Sequence, residues 1–292
     1  MPALAAPDIR ITVQRPPVQS DTAWIDAAVA RQEVAVLGGS RRPVGIFARD
    51  AQGRVTGGIS AQRIGPDFYV HLLWVDSALR GTGLGRALML AAEHAAHARG
   101  AKRIFLNTIT FQAPGFYARL GYAEEGRLVD FIQGSDRHYF RKSVAAVPLP
   151  ALPAGLALDI TDSPAKADVQ AIDDGLTAHW NEHAAPYEEI AALARGASGA
   201  LVAGAVGVLD NGSFTLVHIW TREEARGQGL GRRLARELED AARAARCRHA
   251  TAYPMDWQSP GFFERLGYAA LFRVNDYTAG HGRTWMRKDL SA

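Results

Sequence analysis

Cysteine is almost absent from this sequence, because Cys247 is the only one among 292 residues. No disulfide can form within the chain. Such cysteine usage is typical of a reducing compartment, so we expect a cytoplasmic protein. A zinc site built on cysteines is excluded, and the nine histidines are dispersed along the sequence. The composition therefore predicts no metal centre.

Long hydrophobic runs are also missing, and no stretch approaches the ~20 apolar residues that a helix needs to cross a bilayer. Residues 1–17 lack the basic start of a signal peptide, and Asp8 and Arg10 interrupt them. We expect the first residues, up to Pro7, to be loose. Neither a leader nor a membrane partner is predicted.

Neither sign of charge dominates, since 33 Lys and Arg residues are balanced by 30 Asp and Glu residues and the formal net charge is +3. No run of five basic residues occurs, so the sequence does not predict a nucleic-acid-binding surface. The Gly-x-Ser-x-Gly turn of a serine hydrolase is absent as well. The length and the 48% content of hydrophobic residues are instead typical of about two ordinary globular domains.

What the sequence does contain is a glycine-rich turn that occurs twice. Residues 80–85 read Arg-Gly-Thr-Gly-Leu-Gly, between an apolar run at 68–75 and an alanine-rich amphipathic segment at 86–99. Residues 226–231 read Arg-Gly-Gln-Gly-Leu-Gly in the same setting, between 214–221 and 232–245. The order strand, turn, helix is typical of an anion site, because the first amides of a helix lack intrahelical partners. One copy alone is also compatible with an ordinary turn.

The two turns belong to a long internal repeat with an offset of 146 residues, the difference between positions 80 and 226. The offset holds without a gap from the strand before the turn to the last strand. It pairs Trp74 with Trp220, Glu93 with Glu239, Gln112 with Gln258, Asp130 with Asp276, Arg141 with Arg287, and Lys142 with Lys288. We therefore predict two domains, at 1–146 and 156–292, joined by a Pro/Ala linker at 147–155. A fused dimer, a pseudo-dimer within one chain, explains the repeat as a hypothesis, and the chain itself is expected to be a monomer or a homodimer.

Local patterns predict the elements of each half. We expect a strand at 9–14, a helix at 21–32 capped by Ser20 or Asp21, a hairpin around 50–53, a helix from the glycine turn to Gly100 and a short helix at 114–120. In the second half we expect a strand at 156–161, a helix at 166–183 and a hairpin around 210–212.

Two motifs together resemble one family. The turns fit Arg-x-x-Gly-x-Gly, and each half carries Pro-Gly-Phe-Tyr/Phe-x-Arg-Leu-Gly-Tyr downstream, at 114–122 and 260–268. Both resemble the GNAT superfamily of acyl-CoA-dependent N-acetyltransferases, and the resemblance covers nearly the whole chain. It implies an α/β (α+β) fold of two tandem GNAT domains. Each would be a mixed, mostly antiparallel sheet flanked by helices and splayed at the acyl-CoA site.

The resemblance also implies cofactor contacts, with acetyl-CoA as acyl donor. Backbone amides of the turns would hold the pyrophosphate, and the strand before each turn would face the thioester. The two arginines that follow would pair with the phosphate, or are ordinary solvated arginines at a helix start. Asn107 would contact the pantetheine arm, and its twin Tyr253 does not repeat that contact. The positions are Leu73, Trp74, Val75, Arg80, Gly81, Thr82, Gly83, Leu84, Gly85, Arg86 and Asn107, and in the second half Ile219, Trp220, Thr221, Arg226, Gly227, Gln228, Gly229, Leu230, Gly231 and Arg232.

The catalytic acid of the family maps to Tyr117, whose phenol would protonate the leaving thiolate. Its twin is Phe263, which has no proton to give. No base is evident: His71 and His218 do not align, and each is also compatible with an ordinary core or surface histidine. The region before the first hairpin, which selects the acceptor in this fold, is richer in the second half; its polar and aromatic residues are Asp173, Asp174, His179, Trp180, Asn181, Glu182, His183 and Tyr187. The second half thus contributes surface to the first site, or works slowly on its own.

The resulting function is an N-acetyltransferase that moves an acetyl group from acetyl-CoA directly to a primary amine of a small molecule or protein. The acceptor is not identified by the sequence. The alternative is a non-catalytic acyl-CoA-binding or regulatory protein with degenerate GNAT domains, since Phe263 lacks a proton and no base stands out.

Overall fold

The computed structural model describes residues 9–39 and 41–291, so the expectations for the loose start and the leader at residues 1–8 lie outside the described residues. The α-helices are α1 (Gln19–Leu37), α2 (Leu84–Ala98), α3 (Pro114–Arg119), α4 (Lys166–Asn181), α5 (Leu230–Ala244) and α6 (Pro260–Glu264). The strands of the first repeat are β1 (Arg10–Gln14), β2 (Arg42–Arg49), β3 (Val55–Ile64), β4 (Asp67–Val75), β5 (Arg103–Ile109), β6 (Ala123–Ile132) and β7 (Ser135–Ser143). Those of the second are β8 (Ala157–Thr161), β9 (Glu188–Arg195), β10 (Leu201–Asp210), β11 (Ser213–Thr221), β12 (His249–Ala252), β13 (Ala269–Thr278) and β14 (His281–Asp289).

The chain divides into two compact units, which we name after the residue at the predicted acid position. The Tyr117 unit consists of Leu37–Ala184 and Asp276–Gly280. The Phe263 unit consists of Met1–Val36, Ala185–Asn275 and His281–Ala292. Each unit therefore draws on both repeats, and the compact units and the sequence repeats have different boundaries.

The sheet of the Tyr117 unit has the order β6-β7-β5-β4-β3-β2-β8. Only β4 and β5 run parallel; the other neighbours are antiparallel. The crossover between the parallel strands contains the glycine turn and α2, as a parallel connection requires. The mixed, mostly antiparallel sheet predicted from the sequence is confirmed.

The sheet of the Phe263 unit has the same architecture, in the order β1-β9-β10-β11-β12-β14-β13. Its parallel pair is β11 and β12, with α5 in the crossover. In both units the crossover helix buries an apolar face against the sheet: α2 contributes Leu84, Leu88 and Ala92, and α5 contributes Leu234 and Leu238. This packing fixes the start of the helix beside the strand that precedes it.

The first strand and helix of each repeat complete the sheet of the unit that holds the other repeat's glycine turn. Strand β8 pairs with β2, and β1 pairs with β9. Helix α4 then packs on the Tyr117 unit, where a Cβ added at Gly58 would lie 2.8 Å from Ile172. Helix α1 repeats this contact in the Phe263 unit, where a Cβ at Gly204 would lie 2.4 Å from Ile25.

An ion pair anchors each of these two helices. Arg49 on β2 contacts Asp168 of α4 at 2.7 Å, and Arg195 on β9 contacts Asp21 of α1 at 2.7 Å. Ser20 or Asp21 was predicted to cap α1, but the helix begins earlier, at Gln19, and the Asp21 carboxylate accepts from Arg195 and Gln14 instead. The cap prediction was therefore wrong because the carboxylate has tertiary partners.

Strand β9 was not anticipated at all. Its sequence, Glu-Glu-Ile-Ala-Ala-Leu-Ala-Arg, consists mainly of good helix formers. It is nevertheless a central strand, paired with β1 on one side and β10 on the other. Tertiary pairing overrides local propensity here, since small alanines suit a strand buried on both faces. Among the helices of the described residues, none has the length and apolarity that crossing a membrane requires.

Candidate active site

The glycine turn of the Tyr117 unit has a backbone that only glycine adopts without strain. Gly81 and Gly83 have φ values of 78° and 90°, and Gly227 and Gly229 of the Phe263 unit both have 77°. A Cβ at any of these four positions would meet no protein atom within 4 Å. The turns are therefore open on their outer side, where a ligand can approach the main chain.

The amides at the start of each crossover helix lack acceptors within the described chain. Gly83 and Gly229 occupy the N-cap positions, and neither helix has a side-chain cap. The N–H groups of residues 83–86 and 229–232 make no recorded backbone hydrogen bond; the first to do so are those of Ala87 and Arg233. The positive end of a 15-residue helix dipole adds to these donors. The arrangement can hold a phosphate or another anion.

Side chains within the two glycine turns stabilise the shape of each turn. Arg80 donates from Nε to the carbonyl of Val75 at 3.3 Å, and Arg226 donates in the same way to Thr221 at 3.2 Å. Thr82 donates its hydroxyl to the carbonyl of Leu79 at 2.7 Å. The arginines that follow the turns, Arg86 and Arg232, are exposed on the first turn of their helices, where a phosphate would lie. Their pairing with the cofactor remains a prediction.

The two parallel strands of each unit separate before they end. Pairing between β4 and β5 stops at Tyr69 and Phe105, although β4 continues to Val75. Pairing between β11 and β12 stops at Leu216 and Ala252, although β11 continues to Thr221. The splay predicted from the sequence is thus present twice. Amides of 73–75 and 219–221 that point away from the neighbouring antiparallel strand face the gap, so an extended ligand could add there like a strand.

A β-bulge marks the start of each splay. The register between β3 and β4 shifts so that Ser60 faces Leu72 and Ala61 faces Val70, which leaves His71 as the extra residue. Val217 is its twin in β11. Desolvation and the charge of Arg41 lower the pKa of His71 to about 4, although water still reaches more than a third of the side chain. The imidazole is therefore neutral at pH 7 and is a weak base.

The face of the sheet at the splay carries one phenol in each unit, from different strands. Asn107 donates its amide to the hydroxyl of Tyr69, on the neighbouring strand. In the Phe263 unit the twins are Tyr253 and Thr215, with their hydroxyls 3.4 Å apart. The sequence indicated that the Asn107 contact is not duplicated. Only the structure reveals that the phenol has moved to the opposite side of the pair.

Tyr117 lies on α3, which begins at Pro114 beside the first turn of α2. The ring of the neighbouring Phe116 lies 3.6 Å from the place of a Cβ at Gly85, so α3 packs directly on the glycine turn. The Tyr117 side chain is buried, its ring centroid 6.0 Å from that of Phe140. Burial raises the pKa of Tyr117, so the phenol keeps its proton throughout the neutral range.

Phe263 occupies the corresponding place on α6 and is buried to the same degree. Its ring contacts Phe262 and Tyr268, as Tyr117 contacts Phe116 and Tyr122. The two sites therefore share their packing and differ at this position by the hydroxyl. Only the Tyr117 unit can donate a proton from this place.

A buried ion pair fixes α2, α3 and β7 to one another. Lys142 donates to both carboxylate oxygens of Glu93 at 2.8 Å and to the carbonyl of Leu120 at 2.8 Å. The Glu93 side chain is only 5% exposed. Lys288 and Glu239 repeat the pair in the Phe263 unit. Because Leu120 directly follows α3, this contact helps to hold Tyr117 in place.

Replacing Lys142 with Met is expected to lower the free energy of unfolding by about 3 kcal/mol, because Glu93 would remain buried without its partner. Denaturant titration followed by circular dichroism measures the effect. Lys102→Met is the matched control, since Lys102 is exposed and should change stability by no more than about 0.5 kcal/mol. Equal losses in the two variants would contradict the proposed role of the ion pair.

Helix α4 covers β4 in the Tyr117 unit. Gly175 makes this approach possible, since a Cβ there would lie 2.2 Å from the Trp74 ring. Further along, Trp180 contacts Phe111 edge to face, with ring centroids 5.4 Å apart. The sequence had assigned the acid and the richer acceptor-selecting segment to different halves. Residues 173–183 in fact share a unit with Tyr117, whereas Tyr187 lies in the Phe263 unit.

The Phe263 unit has a histidine–carboxylate pair that the sequence could not indicate. Nδ1 of His218 on β11 lies 2.7 Å from a carboxylate oxygen of Asp26 on α1. Beside it Trp220 contacts Trp24 edge to face, with centroids 4.9 Å apart. The partners are 192 residues apart in the chain, so no local signal could have joined them. This unit thus has a polarised histidine but no tyrosine at the acid position.

Comparison with known proteins identifies one family. The family model described as "Acetyltransferase (GNAT) family" matches twice, at residues 12–122 and 159–268. Blasticidin-S acetyltransferase from Streptomyces morookaense is 36% identical over 107 residues, a match that covers 35% of this chain and 79% of that protein. An acetyltransferase from Agrobacterium fabrum is 30% identical over 102 residues, which covers 35% of this chain and 74% of that protein. A crystal structure of an acetyltransferase from Bacillus cereus is 21% identical and covers 44% of this chain and 94% of that one, with a TM-score of 0.40.

Proposed function

The chain belongs to the GNAT family of acetyltransferases, and we propose that it moves an acetyl group from acetyl-CoA directly to a primary amine. One observation carries the proposal. In the Tyr117 unit, unpaired amides at a helix start, a gap between parallel strands and a buried phenol all lie around one strand end. These features match the needs of a thioester donor: a phosphate site, a channel for the arm and a proton for the leaving thiolate.

Each part has a separate task in the transfer. The amides of residues 83–86 bind the pyrophosphate, and the splayed part of β4 aligns the pantetheine arm. An amide among residues 73–75 donates to the thioester oxygen, an interaction that is typically worth about 2.7–4 kcal/mol in the transition state. Tyr117 donates its proton to the departing sulfur. The proton of the amine passes to solvent, because a pKa of about 4 makes His71, at the bulge of the same strand, too weak a base to hold it.

The acceptor we propose is the amine of a small polar molecule. The relative from Streptomyces morookaense acts, by its name, on blasticidin S, and its match extends over most of that protein. In this chain Trp74 on β4 packs against Gly175 of α4, and further along the same helix Trp180 contacts Phe111. Aromatic walls of this kind favour a compact acceptor with a planar part over a long peptide.

The Phe263 unit supports a second, narrower function: binding acyl-CoA with little or no transfer. Its glycine turn and splay match those of the Tyr117 unit, so the cofactor can bind in the same way. Phe263 cannot protonate a thiolate, and this substitution is the observation that favours the non-catalytic reading for this unit.

An acceptor panel tests the main proposal. Purified chain is incubated with acetyl-CoA and single amines, including blasticidin S and peptides, and release of the CoA thiol is recorded together with acetyl-CoA binding by calorimetry. We expect binding and thiol release that depend on a small-molecule amine. Binding without turnover across the panel would favour the non-catalytic alternative, and no binding would reject both.

A further inference from the structure

The C-terminal end of α4 brings together three side chains to which the proposed transfer assigns neither a proton nor a contact with acyl-CoA. His179, Glu182 and His183 each offer one possible metal-ligating atom, and these atoms all lie within 4.8 Å of one another. The sequence predicted no metal centre, because its nine histidines are dispersed along the chain. The spacing His-x-x-Glu-His is also one that some zinc proteins use to place two histidine ligands.

The hydrogen bonds of the two imidazoles leave one nitrogen of each for a metal. Nδ1 of His183 lies 3.0 Å from the carbonyl oxygen of His179, which can only accept, so Nδ1 carries the proton. Nδ1 of His179 lies 3.2 Å from a carboxylate oxygen of Glu182 and donates in the same way. In both rings Nε2 then keeps its lone pair. Metal-binding histidines typically have this kind of support at the other ring nitrogen.

Packing also orients one of the rings. His183 stacks on Phe111 with an interplanar angle of 6° and a centroid distance of 5.0 Å. The rings of His179 and His183 lie 4.8 Å apart, edge to face. The candidate ligand atoms lie up to 4.8 Å apart. Two ligands of one zinc ion lie at most about 4.2 Å apart, since each bond is ~2.1 Å long. Glu182 and His183 are exposed, so small side-chain rotations can close the remaining distance without repacking the core.

The fold does not need these residues. Asp21 and Ile25 of α1 correspond to Asp168 and Ile172 of α4 by the shared contacts, an offset of 147 residues given by 172 less 25. By this offset Gln32, Ala35 and Val36 replace the two histidines and the glutamate in α1. An exposed His–Glu pair also contributes little to stability. A structural role therefore does not explain why these three residues occur in α4 and the turn that follows it.

We propose that His179, His183 and Glu182 form a binding site for a divalent transition-metal ion of the zinc class. The two imidazoles are the nitrogen ligands, each through Nε2, and the Glu182 carboxylate holds the ring of His179 from its Nδ1 side, with water completing the coordination. The site is independent of acyl-CoA binding and of the proton transfer assigned to Tyr117.

The test uses the full chain without an affinity tag. Titration calorimetry with zinc chloride should give one equivalent bound per chain, and a His179→Asn/His183→Asn double variant should lose it. The Cu²⁺-loaded chain should show nitrogen hyperfine coupling in its EPR spectrum, and affinity should rise from Co²⁺ through Ni²⁺ to Cu²⁺. Glu182→Gln should weaken zinc binding by roughly 10–100-fold, as loss of the partner that supports a histidine ligand does.

His97→Asn is the matched control, because His97 is exposed on α2 and distant in sequence from the cluster. It should bind zinc as the unchanged chain does, and circular dichroism should establish that all variants are folded. A double variant that still binds one equivalent would overturn the proposal, as would an unchanged chain that binds no zinc. Neither outcome affects the proposed acetyl transfer, which the acceptor panel measures separately.

Discussion

Replacing Tyr117 with Phe is expected to lower kcat by roughly 10²-fold or more, because positioned general acids typically contribute 10²–10⁴ to a rate. The affinity for acetyl-CoA should hardly change, since the phenol is buried among aromatic rings and the cofactor is held by backbone amides. Steady-state rates of thiol release and acetyl-CoA calorimetry together separate the two effects.

The chain provides its own structural control for this substitution. The corresponding position of the other unit is already a phenylalanine, Phe263, in the same packing. The Tyr117→Phe variant should therefore fold without loss of stability. Phe263→Tyr in the Tyr117→Phe background should restore part of the thiol release, now from the other unit, if the hydroxyl is what that unit lacks. An unchanged rate in Tyr117→Phe would remove the phenol from the mechanism and leave water or the acceptor as the proton source.

Valine at Gly83 is expected to abolish acetyl-CoA binding at one of two sites. A β-branched residue at φ 90° is strained by about 1–2 kcal/mol, and its side chain would extend from the open side of the turn where phosphate approaches. Calorimetry should give two equivalents of acetyl-CoA for the unchanged chain, one for Gly83→Val, one for Gly229→Val, and none for both together.

The two single variants should differ sharply in turnover despite their equal stoichiometry. Gly83→Val should lose transfer because it blocks the unit that contains the acid, whereas Gly229→Val should keep transfer in the Tyr117 unit. The reverse pattern would assign catalysis to the Phe263 unit and to the His218–Asp26 pair. Thermal unfolding of each variant shows whether the variant is folded. The loss of one equivalent of acetyl-CoA can then be assigned to the binding site and not to unfolding.

Much of the candidate site could be read from local sequence. The positive φ values fall on the glycines of the repeated turns, the helices begin within those turns, and Tyr117 and Phe263 lie on short helices that begin with proline. These features depend on neighbouring residues, so short motifs specify them. Strand β9 was not predicted because its residues favour a helix, and pairing with β1 and β10 outweighs that local preference.

The sequence by itself determined that there are two similar folds, each with a glycine-rich turn before a helix, and that only one has a tyrosine at the predicted acid position. Which helix covers which site was decided by the tertiary structure. The residues that dock α1 and α4 are matched: Ile25 and Ile172 pack on Gly204 and Gly58, and Asp21 and Asp168 pair with Arg195 and Arg49. Because both sheets carry the same glycine and the same arginine, either helix has the contacts to dock on either sheet. The sequence pattern therefore does not specify which helix docks on which sheet. Only the folded path of the chain brings α4 to the unit that contains Tyr117.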